Sequence, residues 1–293
     1  VGLSEQTIVF DAKLVAAAAV ISMVASLGLN VTLEQLMWIF RRPGLLVRSV
    51  LAVLVLVPLV ALFIALHMGL EKRAVVGIVL MGVSPAAPLI LWRVSQSRGD
   101  TNFAPGIQVI VAVLAVASVP LWLAVLSQMF PNARATVSPW VVAGQVGRAQ
   151  LIPLALGMGV RARWPAVAAR LAQPLAKLAV ILLLVFVVAA LAFRAGDLSR
   201  LGVATYAAIG VTLALSLAIG HVFGGPAPQT RTVLAVVCAM RNPGLALLIA
   251  ELNFQGKGVG RVLLAYALVS LIFLSLYGLW RKRRRSDPSA VAA

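Results

Sequence analysis

One arginine of this chain stands deep inside an apolar segment, in the run Met240-Arg241-Asn242-Pro243-Gly244, and a second apolar segment is interrupted by Ser84-Pro85-Ala86-Ala87-Pro88. An arginine at mid-membrane depth costs about 2.5–3.5 kcal/mol on insertion scales, so it lines a cavity or has a partner. As a functional group it is a fixed cation, or a fork that grips a carboxylate in two parallel hydrogen bonds. As a structural group it bonds helix C-terminal carbonyls or an acid from another helix. The nearest acid along the chain, Glu251, is ~15 Å further on if the segment is helical. Proline supplies no backbone donor and clashes with a preceding carbonyl. Lipid cannot satisfy the freed groups, so such breaks survive only where protein or a polar cavity covers them. The candidate substrate-binding set is therefore Ser84, Pro85, Pro88, Gln108, Arg241, Asn242 and Pro243. Asn242 also suits a hydrogen bond across the two breaks.

The elements that must position these residues are membrane spans. The chain has 293 residues, 62% of them hydrophobic and 11% charged, against roughly 25% charged in a soluble domain. This is the composition of an all-α polytopic membrane protein, one transmembrane domain over 1–293. The net charge of +17 sits between apolar runs, where basic residues set topology and meet lipid headgroups. No nucleic-acid-binding motif accompanies it, so the bilayer and not nucleic acid is the expected partner. The lone Cys238 excludes a disulfide within the chain and any cysteine-based metal cluster. Paired carboxylates, H-E-x-x-H, G-x-S-x-G and a phosphate loop are all absent from the sequence, so no enzyme is expected.

Reading about 20 apolar residues per span predicts nine helices, near 8–29, 44–66, 73–97, 103–127, 138–160, 173–193, 201–222, 230–251 and 259–280. The first is read as a retained helix, since Val1 to Lys13 lack a basic lead and no A-x-A-like site follows. The breaks fall in the third and eighth spans. With an ancestral first helix absent they become fourth and ninth of ten, the same place in two repeats, about 8–127 and 138–280. Broken segments at corresponding places in two inverted halves point to a transporter's binding site at the midplane. Of the alternate loops, one set holds Arg41, Arg42, Arg98, Arg161, Arg163, Arg170, Arg231 and a basic tail over 281–293. This heavier set faces the cytoplasm by the positive-inside rule. The N-terminus is then outside, in a plasma or inner membrane.

Three stretches resemble the bile acid:sodium symporter family. They are Leu27-Gly28-Leu29-Asn30-Val31-Thr32-Leu33-Glu34 with Arg41-Arg42-Pro43 and Pro58; Gly77 to Pro85 leading to Arg98-Gly99-Asp100; and Met240 to Ala246. Order and spacing agree over nearly the whole chain. The resemblance implies a panel domain and a core domain with the two broken helices crossing in the core, and secondary transport of organic anions. It also implies sodium ligands at positions that fall on Val53, Ile90, Leu91, Val237 and Arg241. Four of these are hydrocarbon and the fifth is a cation, whereas a hard cation needs several oxygen ligands. The chain is thus a divergent member in which the sodium sites are expected to be lost. Arg241 would replace the sodium charge, with proton coupling or exchange in place of sodium coupling. No other cofactor is implied.

Two functions follow as expectations. The first is a secondary active transporter of a small or amphipathic organic anion, working by alternating access. The alternative is a membrane sensor or assembly subunit that keeps the fold without transport. The topology has a direct check: cysteines introduced near Trp164 and Ser289 should be labelled from the cytoplasmic side only. Labelling of either from outside would overturn the orientation.

Overall fold

The computed structural model describes residues 3–87, 99–129, 138–253 and 258–286. Twelve α-helices follow in chain order: α1 Leu3–Asn30, α2 Leu33–Phe40, α3 Pro43–Leu51, α4 Val57–His67, α5 Lys72–Val83, α6 Phe103–Met129, α7 Pro139–Arg163, α8 Pro165–Ser199, α9 Gly202–Phe223, α10 Pro228–Ala239, α11 Pro243–Asn253 and α12 Val259–Ser286. Among the described residues five helices are long and apolar enough to cross a membrane, six if α1 and α2 count as one bent span. The expectation of nine counted segments that do not meet this measure singly. The proline-broken α5, α10 and α11 have only 12, 12 and 11 residues, and α7 carries Arg148, Arg161 and Arg163.

Local chemistry explains where the helices begin. Proline occupies the first turn of α3, α7, α8 and α10, where its missing donor has no partner to lose. At α2, Thr32 accepts from the Gln35 backbone while the Gln35 side chain accepts from the Thr32 N–H, a reciprocal cap. The Asp100 carboxylate accepts from the N–H groups of Asn102 and Phe103 at 2.8 and 2.9 Å, opening α6. Between α9 and α10 the chain turns at Gly225, whose φ of 81° a side chain would strain.

One element was absent from the sequence reading. Helix α2 bends 83° away from the preceding part of α1, because Thr32 stops α1 and starts a new cap two residues later. The tail boundary also moves: α12 runs through Arg281 to Ser286. Arg281 is buried there, its Nε donating to Thr232 Oγ1 at 2.9 Å and its terminal nitrogen to the Pro228 carbonyl at 2.8 Å. The first arginine of the expected tail is therefore a tie between the end of α12 and the start of α10.

Helices α1, α7 and α8 pack on one another as one layer, and the remaining helices form a second body, joined to it chiefly through α1 with α11 and α6 with α7. Close approach in the layer depends on missing side chains. A Cβ on Gly157 would lie 2.5 Å from the Ala25 carbonyl oxygen and 2.9 Å from the Gly28 Cα, which is the small-residue packing that membrane helices favour.

Candidate functional site

Pro58 sets the first half of the site. Between α3 and α4 the chain makes a π-helical turn, Ala52–Leu56, within one continuous helix, Pro43–His67. The Val57 N–H bonds the Ala52 carbonyl, five residues back. The next donor in that register would be residue 58, and proline has none. Two carbonyls on the inner side of the helix thus lose their backbone donors, and side chains replace them. The Leu54 oxygen accepts from Trp122 Nε1 at 2.9 Å, and the Val53 oxygen accepts from an Arg241 terminal nitrogen at 3.0 Å.

The second half comes from the two breaks. Helix α5 ends at Val83, and Ser84 turns extended at φ −60°, ψ 139°. A helix continued from here would need donors at positions 85 and 88, both proline. The other terminal nitrogen of Arg241 takes the Ser84 oxygen at 3.0 Å. Ala86 and Arg241 then face each other as an isolated antiparallel bridge. The Ala87 N–H donates to the Met240 oxygen and the Asn242 N–H to the Pro85 oxygen, each at 2.9 Å. The breaks are therefore hydrogen-bonded to each other, which meets the requirement that non-helical backbone at membrane depth be covered by protein.

Arg241 is 2% exposed, and among the described residues no carboxylate pairs with it. Its charge is met instead by two backbone carbonyl oxygens, those of Val53 and Ser84. It follows the C-terminus of α10 by two residues and bonds the C-cap of α5, and the C-terminal end of a helix carries partial negative charge. Of the two structural partners open in the sequence, the carbonyls and not an acid hold it. Asn242 caps α11, its side-chain oxygen accepting from the Leu245 N–H at 3.1 Å, with Pro243 as the first helical residue. Gln108 reaches from α6 to the Ala86 oxygen at 2.6 Å.

The structure thus gathers Ser84, Pro85, Gln108, Arg241, Asn242 and Pro243 at one crossing. Pro88, Ile90 and Leu91 lie outside the described residues. Val53 and Val237 are both fully buried and offer hydrocarbon side chains; Val53 contributes through its backbone instead. Three buried polar atoms at the crossing have no partner among the described residues: Arg241 Nε, Asn242 Nδ2 and Gln108 Oε1. Tyr266 on α12, fully buried with an unpartnered hydroxyl, was not singled out in the sequence; an aromatic in an apolar run gives no signal. Asn253 was also missed. It bonds Gln145 at 2.9 Å and so links α11 to α7.

The chain is similar to known proteins over most of its length. The model of the sodium bile acid symporter family matches residues 17–200. The ileal sodium/bile acid cotransporter of Oryctolagus cuniculus is 25% identical over 271 residues, covering 88% of this chain and 77% of that protein. The sodium-dependent organic anion transporter of Mus musculus is 23% identical over 278 residues, with 89% and 72% covered. A sodium-dependent transporter of Bacillus subtilis is 22% identical over 256 residues, with 87% and 75% covered.

Replacing Arg241 by Met orphans the Val53 and Ser84 carbonyls, at about 1–3 kcal/mol for each, while relieving the cost of a buried charge. The net expectation is a loss of about 1–3 kcal/mol. Arg241→Lys keeps the charge but cannot span both oxygens with one planar fork, so it should recover only part of that loss. Denaturation midpoints of the purified variants in micelles check the order wild type, Lys, Met.

Proposed function

The chain belongs to the sodium bile acid symporter family, and from that premise we propose that it is a secondary active transporter of a small or amphipathic organic anion. The family makes it an integral membrane transporter and not an enzyme. The observation that carries the reading further is the pairing of Ala86, just after the end of α5, with Arg241, between α10 and α11. The layer of α1, α7 and α8 is the panel and the crossed-helix body is the core, and alternating access moves one against the other. The nine-span topology, with inverted repeats over about 8–127 and 138–280, rests on the corresponding places of the breaks.

Orientation follows from the ends of the helices. The Gln35 amide reaches the Thr101 carbonyl, Leu45 abuts Gly225, and Arg281 bonds Pro228. The starts of α3, α6 and α10 and the end of α12 are thereby at one end, with Arg41, Arg42, Arg231 and Arg281. By the positive-inside rule that end is cytoplasmic, with the C-terminus inside and the N-terminus outside.

Arg241 acts as a tethered cation. Its guanidinium bridges oxygens that would otherwise attract a metal ion, and one of them is the carbonyl of Val53, a position that aligns with the family's sodium ligands. Sodium coupling is lost on this reading, and transport is exchange, uniport or proton-coupled. The remaining donors Arg241 Nε and Asn242 Nδ2 are suited to an anionic group reaching the crossing when the layer moves away. One observation favours the second reading, a sensor or assembly subunit: Ser84, Gln108, Arg241 and Asn242 are only 1–2% exposed, so the crossing is closed.

A thermal-stability screen against organic anions, run in sodium and in potassium, tests the reading, because a ligand that binds the folded state stabilises it by mass action. An anion should raise the midpoint equally in both salts, and less in Arg241→Gln. Stabilisation by sodium alone would refute the tethered cation. Uptake of that anion into proteoliposomes identifies a transporter; binding without uptake identifies the sensor.

A further inference from the structure

We infer that α2, which packs on α6, and the arginines at the same end of the protein form a binding surface for anionic phospholipid. Helix α2 lies nearly perpendicular to α1, at 83°, and so along the membrane surface if α1 crosses it. Three of its large apolar side chains are uncovered, Leu33 at 69%, Met37 at 49% and Phe40 at 52% exposed. Their spacing of four and three residues places them on one stripe, while Ile39 is fully buried on the opposite side. An apolar stripe on a helix lying in the interface plane seats in the headgroup–acyl boundary.

Basic side chains frame that stripe. Arg41 and Arg42 follow it directly and are exposed. The Arg42 guanidinium lies 3.7 Å over the Trp38 ring and bonds the Trp38 carbonyl at 3.2 Å, which holds it in place. The turn from α7 to α8 lies beside the end of α1, where Leu29 packs with Val160, Ala168 and Ala172, Gly28 abuts Gly157 and Ser26 bonds Ala172 of α8 at 2.9 Å. That turn carries Arg161, Arg163 and Arg170, with Trp164 58% exposed, and so brings three more cations to the end of the protein from which α2 departs. No described residue bonds the side chains of these three arginines. No acidic residue stands between Asp100 and Asp197; the acids at this end among the described residues are Glu34 on α2 and Asp100, whose carboxylate is occupied capping α6, and Asp287 follows α12 in the sequence.

Charge and apolar stripe together fit a lipid and not a soluble anion. Arginine recognises phosphate by paired hydrogen bonds, a neighbouring apolar stripe takes the acyl chains, and each basic residue near an anionic surface adds appreciably to binding. This inference does not rest on the transport reading; it stands on the placement of α2 and the α7–α8 turn.

The test uses the whole protein in micelles, titrated with phosphatidylglycerol or phosphatidylcholine of equal chain length, with lipid retention read by native mass spectrometry. Phosphatidylglycerol should be retained over phosphatidylcholine, and 0.5 M salt, which shortens the Debye length from about 8 Å to about 4 Å, should erase the preference. In the triple variant Arg161→Gln/Arg163→Gln/Arg170→Gln, phosphatidylglycerol binding should fall about a hundredfold at low salt, at roughly fivefold per residue. Leu33→Ser/Phe40→Ser should weaken both lipids, and Arg200→Gln, at the far end of α8, should change neither. Equal retention of the two lipids, a preference that survives salt in the wild type, or an unaffected triple variant would overturn the inference. Glycerol phosphate competing as well as the lipid would assign a soluble phosphate site and also overturn it.

Discussion

The crossing depends on one demand: backbone oxygens deprived of their donors by proline must find others inside a membrane. Pro58 removes the donor that would serve the carbonyls one turn before it, and the Ser84 break, with prolines at 85 and 88, does the same for α5. Arg241 answers both with two terminal nitrogens, each 3.0 Å from its oxygen. Remove the arginine and two elements, the π-helical turn and the first break, each lose a partner that no solvent can supply. The buried charge persists because it bonds two backbone oxygens, one of them at the C-cap of α5, and itself follows the C-terminus of α10, so the site needs no acid.

That arrangement accounts for the neighbouring sequence. Asn242 is held from both sides, its N–H on Pro85 and its side-chain oxygen on Leu245, so it fixes where α11 starts. Gln108 spans from α6 to the Ala86 carbonyl beside the arginine. Trp122 takes the other carbonyl that Pro58 frees. Asn242, Gln108 and Trp122 are each matched to a backbone group left open near the breaks, and the few atoms left over at the crossing, Arg241 Nε, Asn242 Nδ2 and Gln108 Oε1, are what a ligand could meet. In the proposed transporter the same rigidity lets the crossed helices move as one body.

Much of the fold was legible in the sequence because membrane helices announce themselves by length and apolarity. The expected segments 44–66, 103–127 and 201–222 fall within a few residues of Pro43–His67, Phe103–Met129 and Gly202–Phe223, and both breaks fall at their prolines. Helix α2 was not legible: it is eight residues long, too short for a hydrophobic period to separate it from the span before it, although Thr32 and Gln35 carry its cap signal. At the site, the residue types were legible and their partners were not. Arg241 drew notice as a buried charge, but the Val53 carbonyl is a backbone atom whose availability follows from Pro58, five positions away, and only the π-helical register shows that link. Tyr266 and Asn253 gave no pattern at all, since neither belongs to a motif or a polar period in its helix.

The most direct measurement is a double-mutant cycle between Pro58→Ala and Arg241→Met, read as unfolding free energies of the purified protein. If Pro58 creates the deficit that Arg241 fills, an N–H restored at position 58 lets α3 and α4 join in α-helical register, and Val53 regains a backbone donor. Losing Arg241 should then cost less in the Pro58→Ala background, with a coupling of about 0.5–3 kcal/mol, the range for residues sharing a hydrogen-bond network. Additive costs in the two backgrounds would contradict the account.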